Sequence, residues 1–313
     1  MIAAFAPATV SNVAAGFDVL GFALDEPGDV VAATLRDLPG VVITAIHGDG
    51  GRLTRETAKN TAGAAVEALL AMLGTSRGIG LELHKGLPLA SGVGSSGASA
   101  VAAVVAVNEL LGRPATLDLV FRAAMAGEKA GCGAAHPDNV APALFGGFVL
   151  ARSADPPDIV RLPVPAGLSC AVLHPQLEVQ TSVARALLGD TLPLHTAVRQ
   201  WANLGALVSA LHTGDLDLLS RALVDHVAEP KRASLVPGMA QVKAAAAAAG
   251  ALGCSLSGSG PSIFALARTL DEAHAVGTAM AAAYASAGGG VAADLWVSAV
   301  GTTGARVVAG GAR

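Results

Sequence analysis

The sequence predicts an α+β protein built from two packed units. Three observations carry that prediction. The chain has 313 residues, more than one core usually encloses. Hydrophobic residues make up 52% of it and charged residues 14%, so apolar surface is ample and a disordered chain is excluded. Strand-like and helix-like segments are mixed along the whole length. Aromatics are only 3% and alanine is abundant, so the cores should be close-packed from small side chains.

Segments 2–6, 19–24, 29–35 and 41–46 are short apolar runs between turn signals and read as strands. Residues 60–73 read as a helix capped by Asn60 and stopped by Gly74. Residues 79–84 alternate like a strand, and a loop rich in Gly and Ser follows over 86–97. Helix 98–111 is apolar on nearly every face, so it should be buried, and Gly112 and Pro114 end it. Helix 116–129 leads into a polar loop, GCGAAHPDNVAP, and strand 145–151. The stretch SADPPD at 153–158 is the most linker-like, which sets expected domains of 1–155 and 156–313. Beyond it, strands are expected at 159–164 and 169–174, then helices at 180–188, 194–212, 215–226 and 237–249. Strands 252–257 and 262–267, helix 270–286 and strand 291–298 complete the second unit. Thr269 and Glu272 form a capping box on that last helix.

Net charge is −4 and the pI about 6.0, with no stripe of Lys and Arg, so nucleic acid is not an expected partner. The three cysteines, Cys132, Cys170 and Cys254, are too few and too far apart for a disulfide framework and suit a reducing compartment. The opening MIAAFAPATVSNVAAGF lacks the basic start of a signal peptide. Helix 98–111 falls short of the about 20 residues that span a bilayer. The expected location is the cytoplasm, with no membrane partner. Apart from His136, the histidines show no metal-ligand spacing and read as structural or exposed.

The chemistry concentrates in the run Pro88-Leu89-Ala90-Ser91-Gly92-Val93-Gly94-Ser95-Ser96-Gly97-Ala98. Glycines let several backbone N–H groups turn toward one point, and the following helix adds its free N–H groups and positive dipole end. The result is an anion cradle suited to phosphates. Gly92-x-Gly94-x-x-Gly97 matches the dinucleotide fingerprint only superficially, because the strand ends near His84 and no acidic residue closes a following strand. The match of Gly92 to Ser99 with a P-loop fails at Ala98, where the phosphate-binding lysine belongs. A purely structural glycine turn stays open from this loop alone.

The same run resembles P-x-x-S-G-L-G-S-S-A, the nucleotide motif of the GHMP kinases, with Val93 for leucine and Gly97 for alanine. Those small-molecule kinases bind ATP on a lysine-free glycine loop. Residues 253–266, GCSLSGSGPSIFAL, resemble the third motif of that family, which lies against the nucleotide loop and brings in Ser259 and Gly260. The stretch from Ala6 to Gly21 closely resembles the opening of the homoserine kinases, P-x-[TS]-x-[AS]-N-x-[GA]-x-G-F-D-x-[LF]-G. The resemblance continues at 127–148, at Gln180–Arg185 and at Glu229–Arg232, along essentially the whole chain.

The resemblance implies a two-domain fold, with an N-terminal domain like ribosomal protein S5 domain 2 and a C-terminal ferredoxin-like α/β sandwich. It implies ATP and Mg2+ as cofactors and L-homoserine as the acceptor. Ser96 and Glu128 match the pair that holds Mg2+, and Asn60 matches a position near the adenine. Asn12, Asp18, His136, Asn139 and Thr181 match acceptor-site positions. Arg185 and Arg232 match the arginines that grip the acceptor carboxylate. The chemistry of an amino acid suits this set, since its ammonium needs an anion and its carboxylate needs guanidinium forks. Asp18 is read either as a general base or as an acceptor-binding group. A homodimer is the assembly to test for.

Overall fold

The computed structural model describes residues 1–309. Its first sheet grows from β1 (Ile2–Ser11) and β2 (Leu20–Arg36), an antiparallel pair. The strands expected at 19–24 and 29–35 are one continuous strand, because the turn signal between them is absorbed by a register shift opposite Pro7–Thr9. β3 (Gly40–His47) and β4 (Gly78–His84) pair parallel to each other, and β4 lies antiparallel to β2. Between them runs α1 (Thr61–Met72), where Asn60 Oδ1 accepts from the amides of Ala62 and Gly63, as its cap reading requires.

α2 (Ser95–Leu110) starts three residues earlier than the sequence suggests. Ser95, Ser96 and Gly97 are thus its first turn rather than loop. Gly94 supplies the left-handed cap residue, with φ +70° and no side-chain cap. α2 lies on β1 and β2, with α1 and α3 (Leu117–Cys132) packed against it. Alanines and valines bury it on nearly every face, as predicted. The polar segment expected to be a loop contains α4 (Pro137–Phe145). Pro137 suits a first helical turn, and Pro142 removes the N–H that would bond the Asp138 carbonyl. Gly21 of β2 packs so closely on that carbonyl that a Cβ there would lie 1.9 Å from its oxygen. Composition alone does not reveal such a helix.

β5 (Phe148–Ala154) and β6 (Pro157–Leu162) form a hairpin on β2. SADPPD is the turn of that hairpin and not a linker. The expected border at 155/156 therefore cuts the first sheet, which also recovers β11 (Arg306–Val308) from the far end of the chain, beside β1. Neither pairing is visible in local sequence.

The second sheet has the order β10-β7-β9-β8, all antiparallel, from β7 (Ser169–Pro175), β8 (Gly253–Leu256), β9 (Ile263–Ala267) and β10 (Ala293–Ala299). Its strands alternate in period two. Ala171, Leu173, Ile263 and Ala265 face α9 (Met239–Ala248) and α10 (Leu270–Ala287), while Cys170, Val172, Phe264 and Leu266 join the core of the first unit. The two units thus share apolar packing. α5 (Thr181–Ala186), α6 (Leu194–Thr213), α7 (Leu216–Ala222) and α8 (Glu229–Arg232) occupy the connection between β7 and α9. On α10, Thr269 Oγ1 accepts from the Glu272 amide, but the Glu272 carboxylate reaches the Arg268 amide, one residue before the expected partner.

Candidate active site

A cavity of about 460 Å³ opens between the units. That volume suits a nucleotide and a small acceptor. One wall is the glycine loop. Gly92 and Gly94 have φ of +79° and +70°, and Ala90 shares that left-handed region at +52°. A Cβ on Gly92 would lie 2.6 Å from Ser257 O and 2.7 Å from Gly260 O; one on Gly94 would lie 2.1 Å from Thr9 Oγ1. Both glycines are therefore required for close approach as well as for backbone conformation.

The second glycine loop closes against the first. Ser257 Oγ donates to Gly92 O at 2.6 Å, and Ser262 donates to Ser91 O from its hydroxyl at 2.7 Å and its amide at 3.2 Å. Both serines are fully buried. Sequence places these two turns in one motif order; the structure shows them as one hydrogen-bonded unit.

Of the expected nucleotide residues, Leu89, Ala90, Ser91, Gly92, Gly94, Ser95, Ser96, Asn60 and Ser259 line the cavity. Pro88, Val93, Gly97, Ala98 and Gly260 do not. Val93 and Ala98 are fully buried in the apolar core, where they anchor the loop, and Gly260 packs on Gly92. The Asn60 side chain caps α1 and donates to Thr54 O at 2.9 Å, so most of its hydrogen-bonding capacity holds the fold.

Below the loop lies a buried ion pair that the sequence does not flag. Lys85 Nζ meets Asp29 Oδ2, Ser99 Oγ at 2.7 Å and Ser95 O at 3.0 Å. Asp29 Oδ1 accepts from the amides of Gly86 and Leu87 at 3.0 and 3.2 Å. Lys85 and Asp29 side chains are about 2% and 1% exposed. A lysine does stand near the phosphate loop, then, but its charge is met by Asp29 and its bonds fix the first turn of α2. Its side chain and its aspartate partner lie 56 positions apart, which hides the pair from any spacing argument.

Glu128 faces the loop from α3. Gly127 and Gly131 allow this, since a Cβ at either would collide with Thr61 on α1. Glu128 Oε1 accepts from Ser96 Oγ at 3.0 Å and from His136 Nδ1 at 3.1 Å. Among the described residues its Oε2 is buried without a partner, as is His136 Nε2. A desolvated carboxylate oxygen left unpartnered is costly. The bond to Glu128 raises the His136 pKa against the opposing effect of burial.

The opposite wall carries the expected acceptor residues Asn12, Asp18, His136, Asn139, Thr181, Arg185 and Arg232, all of which line the cavity. Their frame is strained. Asn12, Val13, Ala14 and Asp18 all have positive φ, 68°, 42°, 57° and 60°, and Val13 is β-branched. Cross-chain bonds hold the strain in place. Asn12 donates to Gly258 O at 3.0 Å and accepts from the Asp18 amide at 2.9 Å. Gln200 donates to Ala14 O and Ala15 O at 3.3 and 3.0 Å and to Asp225 Oδ1 at 3.3 Å. Asp225 in turn accepts from the amides of Val227, Ala228 and Glu229, so it holds the chain that enters α8, the helix carrying Arg232.

Arg185 forks onto Asp18 at 2.5 and 2.9 Å, which raises the arginine's pKa. Arg232 is buried, donates to Ala184 O and Gly258 O at 3.1 Å each, and has its pKa lowered first by burial and then by Arg185. Both guanidinium carbons lie over the Phe17 ring, at 5.2 and 5.4 Å from its centroid. Two cations held on one ring define a spot for an anion. Asn139 Oδ1 accepts from Thr9 Oγ1 at 2.9 Å, which ties it to the loop side. Sequence reading missed Phe17, the platform, and Asp138. The latter is buried against the cavity, its pKa raised to about 7 by burial and then by the charge of Asp18. Its place one residue before Asn139 is the signal that could have found it.

Known proteins resemble this chain along nearly its whole length. The family model described as the GHMP kinases N terminal domain matches residues 60–147, and the GHMP kinases C terminal model matches 207–286. A homoserine kinase of Chlorobium phaeobacteroides is 50% identical over 98% of this chain and 99% of its own. One of Chlorobaculum tepidum is 48% identical over 98% of each. The crystal structure of homoserine kinase from Cytophaga hutchinsonii superposes with a TM-score of 0.95 at 50% identity, covering 98% of this chain and 97% of that one.

Proposed function

The chain belongs to the GHMP kinase family, among its homoserine kinases, and we propose that it phosphorylates the side-chain hydroxyl of L-homoserine with ATP. The product is O-phospho-L-homoserine, in threonine biosynthesis. The observation that carries the choice of acceptor is the pair Arg185 and Arg232 over Phe17, with Asp18 beside them, in the cavity that also holds the glycine loop. A carboxylate pairs with the guanidiniums and an ammonium with Asp18, each charged hydrogen bond being worth about 1.5–3 kcal/mol.

The residues present fit a hard divalent cation. Glu128 Oε2 is buried and unpartnered, and the Ser96 hydroxyl is 3.0 Å from the other carboxylate oxygen. Ser96 and Glu128 would hold Mg2+, which neutralises charge on the β- and γ-phosphates. The protein's own contribution is positioning. Amides of the loop and of the first turn of α2 orient the triphosphate, and the arginines and Asp18 set the acceptor hydroxyl in line. Asn139 and His136, on the α4 side, border the place where that hydroxyl meets phosphate. Asp18 is engaged by Arg185, which suits an acceptor-binding role better than that of a base.

Coupled ADP release with and without L-homoserine, set against mevalonate, galactose and shikimate, tests this reading. Turnover specific to homoserine is expected; equal turnover with another alcohol moves the acceptor assignment. ATP binding without ADP release would point to a sensing member of the family. A cytoplasmic location and a homodimer complete the proposal. Sedimentation equilibrium tests the dimer, for which Leu194, Val198 and Trp201, at helical spacing on α6, are an exposed apolar stripe.

A further inference from the structure

A cluster of ligand atoms lies outside the cavity and has no part in the reaction above. Glu82 and His84 are two apart on β4 and so share one face of the sheet. Leu81 and Leu83, on the other face, are buried in the core. The parallel pairing of β3 with β4 sets His47 directly beside His84. Glu82 Oε1 lies 3.1 Å from His47 Nε2 and 3.2 Å from His84 Nε2. The two imidazole rings are 4.8 Å apart at an angle of 20°. Among the described residues, this is the one group of three or more His, Cys, Asp or Glu side chains whose ligand atoms all lie within 4.8 Å of one another.

We propose that His47, Glu82 and His84 form a binding site for a divalent transition metal of the zinc class. Zinc takes imidazole nitrogen and carboxylate oxygen at about 2.0–2.2 Å in a tetrahedron, which separates neighbouring ligand atoms by roughly 3.4 Å. The two nitrogen–oxygen separations of 3.1 and 3.2 Å lie within a few tenths of that value. Each imidazole binds through its Nε2 lone pair with its proton on Nδ1, and the carboxylate supplies one negative charge. Two imidazoles in three ligands favour zinc, copper or nickel and disfavour Mg2+, which prefers oxygen. The site therefore differs in kind from the Ser96–Glu128 pair. Three protein ligands leave a fourth position for water.

Its place in the fold gives the metal a task. Among the described residues, β3 is the edge strand of the first sheet and pairs on one side only, with β4. The chain leaving it passes through Gly48 to Leu53 and Thr54, which line the cavity. His84 directly precedes Lys85, whose ammonium is bonded to the first turn of α2. A metal bridging β3 to β4 clamps the exposed edge beside the nucleotide loop and stabilises the folded chain by mass action.

The test is a zinc titration of the full chain by calorimetry and thermal melting, in saturating Mg2+. One equivalent and a raised melting temperature are expected. His47→Ala and His84→Ala should each weaken binding by more than the about 10–100-fold that loss of an outer-sphere partner costs. Both side chains are partly exposed (55% and 26%), so the metal-free melting temperature should stay unchanged. Glu128→Gln should leave the zinc isotherm as it is. Zinc affinity that survives both histidine substitutions, or that vanishes with Glu128→Gln, overturns the proposal, as does a wild-type chain that takes up no zinc.

Discussion

The two walls of the cavity are built by different means. The nucleotide wall is main chain: Gly92 and Gly94 at positive φ, two glycine loops closed on each other, and the first turn of α2. The wall expected to hold the acceptor is side chain: Asp18, Arg185 and Arg232 arrive from three distant segments, Arg185 pairing with Asp18 and both guanidiniums lying over Phe17. Backbone amides recognise any triphosphate, because they read charge and shape alone. Forked guanidiniums opposite a carboxylate read one arrangement of charges. Substitutions of the positive-φ glycines on the first wall should therefore damage fold and catalysis together, whereas those on the second should change which acceptor is held and how tightly.

The largest effect is expected at the junction of the walls. Glu128→Gln keeps the side chain's size and its bonds from Ser96 and His136 but removes the charge. kcat should fall by about 100-fold or more, with the melting temperature little changed. A near-normal kcat would place the metal elsewhere. Gly92→Ala comes next. Its Cβ meets two carbonyl oxygens at 2.6 and 2.7 Å on a backbone of φ +79°, so strain of about 1–3 kcal/mol is a lower bound. The variant should melt lower and lose ATP binding as well; a fall in ATP affinity alone would show that the loops can part without loss of stability.

Arg232→Ala should raise the acceptor KM by about 10–100-fold, the loss of a charged hydrogen-bonded contact, with the KM for ATP hardly moved. An equal rise in both would erase the distinction between the walls. Asp138→Asn tests the same side through pH. The folded chain holds the Asp138 proton up to about pH 7, while the unfolded chain releases it near 3.8. As pH climbs between those values the unfolded state gains, so native stability declines. The Asn variant should flatten that decline in a series of melting curves, and identical curves would remove Asp138 as its source. Gly97→Ala is the smallest. A Cβ there meets Val140 at an ordinary 3.5 Å, inside a helix, and should add about 0.5–1 kcal/mol of stability with activity retained. Lost activity would mean that the first turn of α2 has no tolerance even where space exists.

The legibility of each wall in the sequence follows from the same contrast. A glycine loop is contiguous, so Pro88 to Ala98 announces itself, and even its departures, Val93 and Gly97, turn out to need no polar group. The expected acceptor residues came through the resemblance, since nothing local ties Asp18 to Arg185, 167 positions away. Phe17 was overlooked because its partners, Arg185 and Arg232, reach its ring only through the tertiary fold. Lys85 was overlooked because its partner, Asp29, sits in the middle of a strand. α4 escaped because Pro142 and a polar composition speak against a helix, and the border at SADPPD was misplaced because a tight turn and a linker share composition.

By itself the sequence determined the α+β character, most of the helices and strands, and the glycine loop that is expected to cradle phosphate. These rest on local periodicity, on glycine's backbone freedom and on motif order, all of which act over a few residues. Only the tertiary structure decided that β6 and β11 return to the first sheet, that two serines lock the glycine loops together, and that two arginines share one ring. It also decided that His47 stands beside His84. Each of those is a contact between residues far apart in the chain, set by strand register and packing, and no local pattern encodes a register.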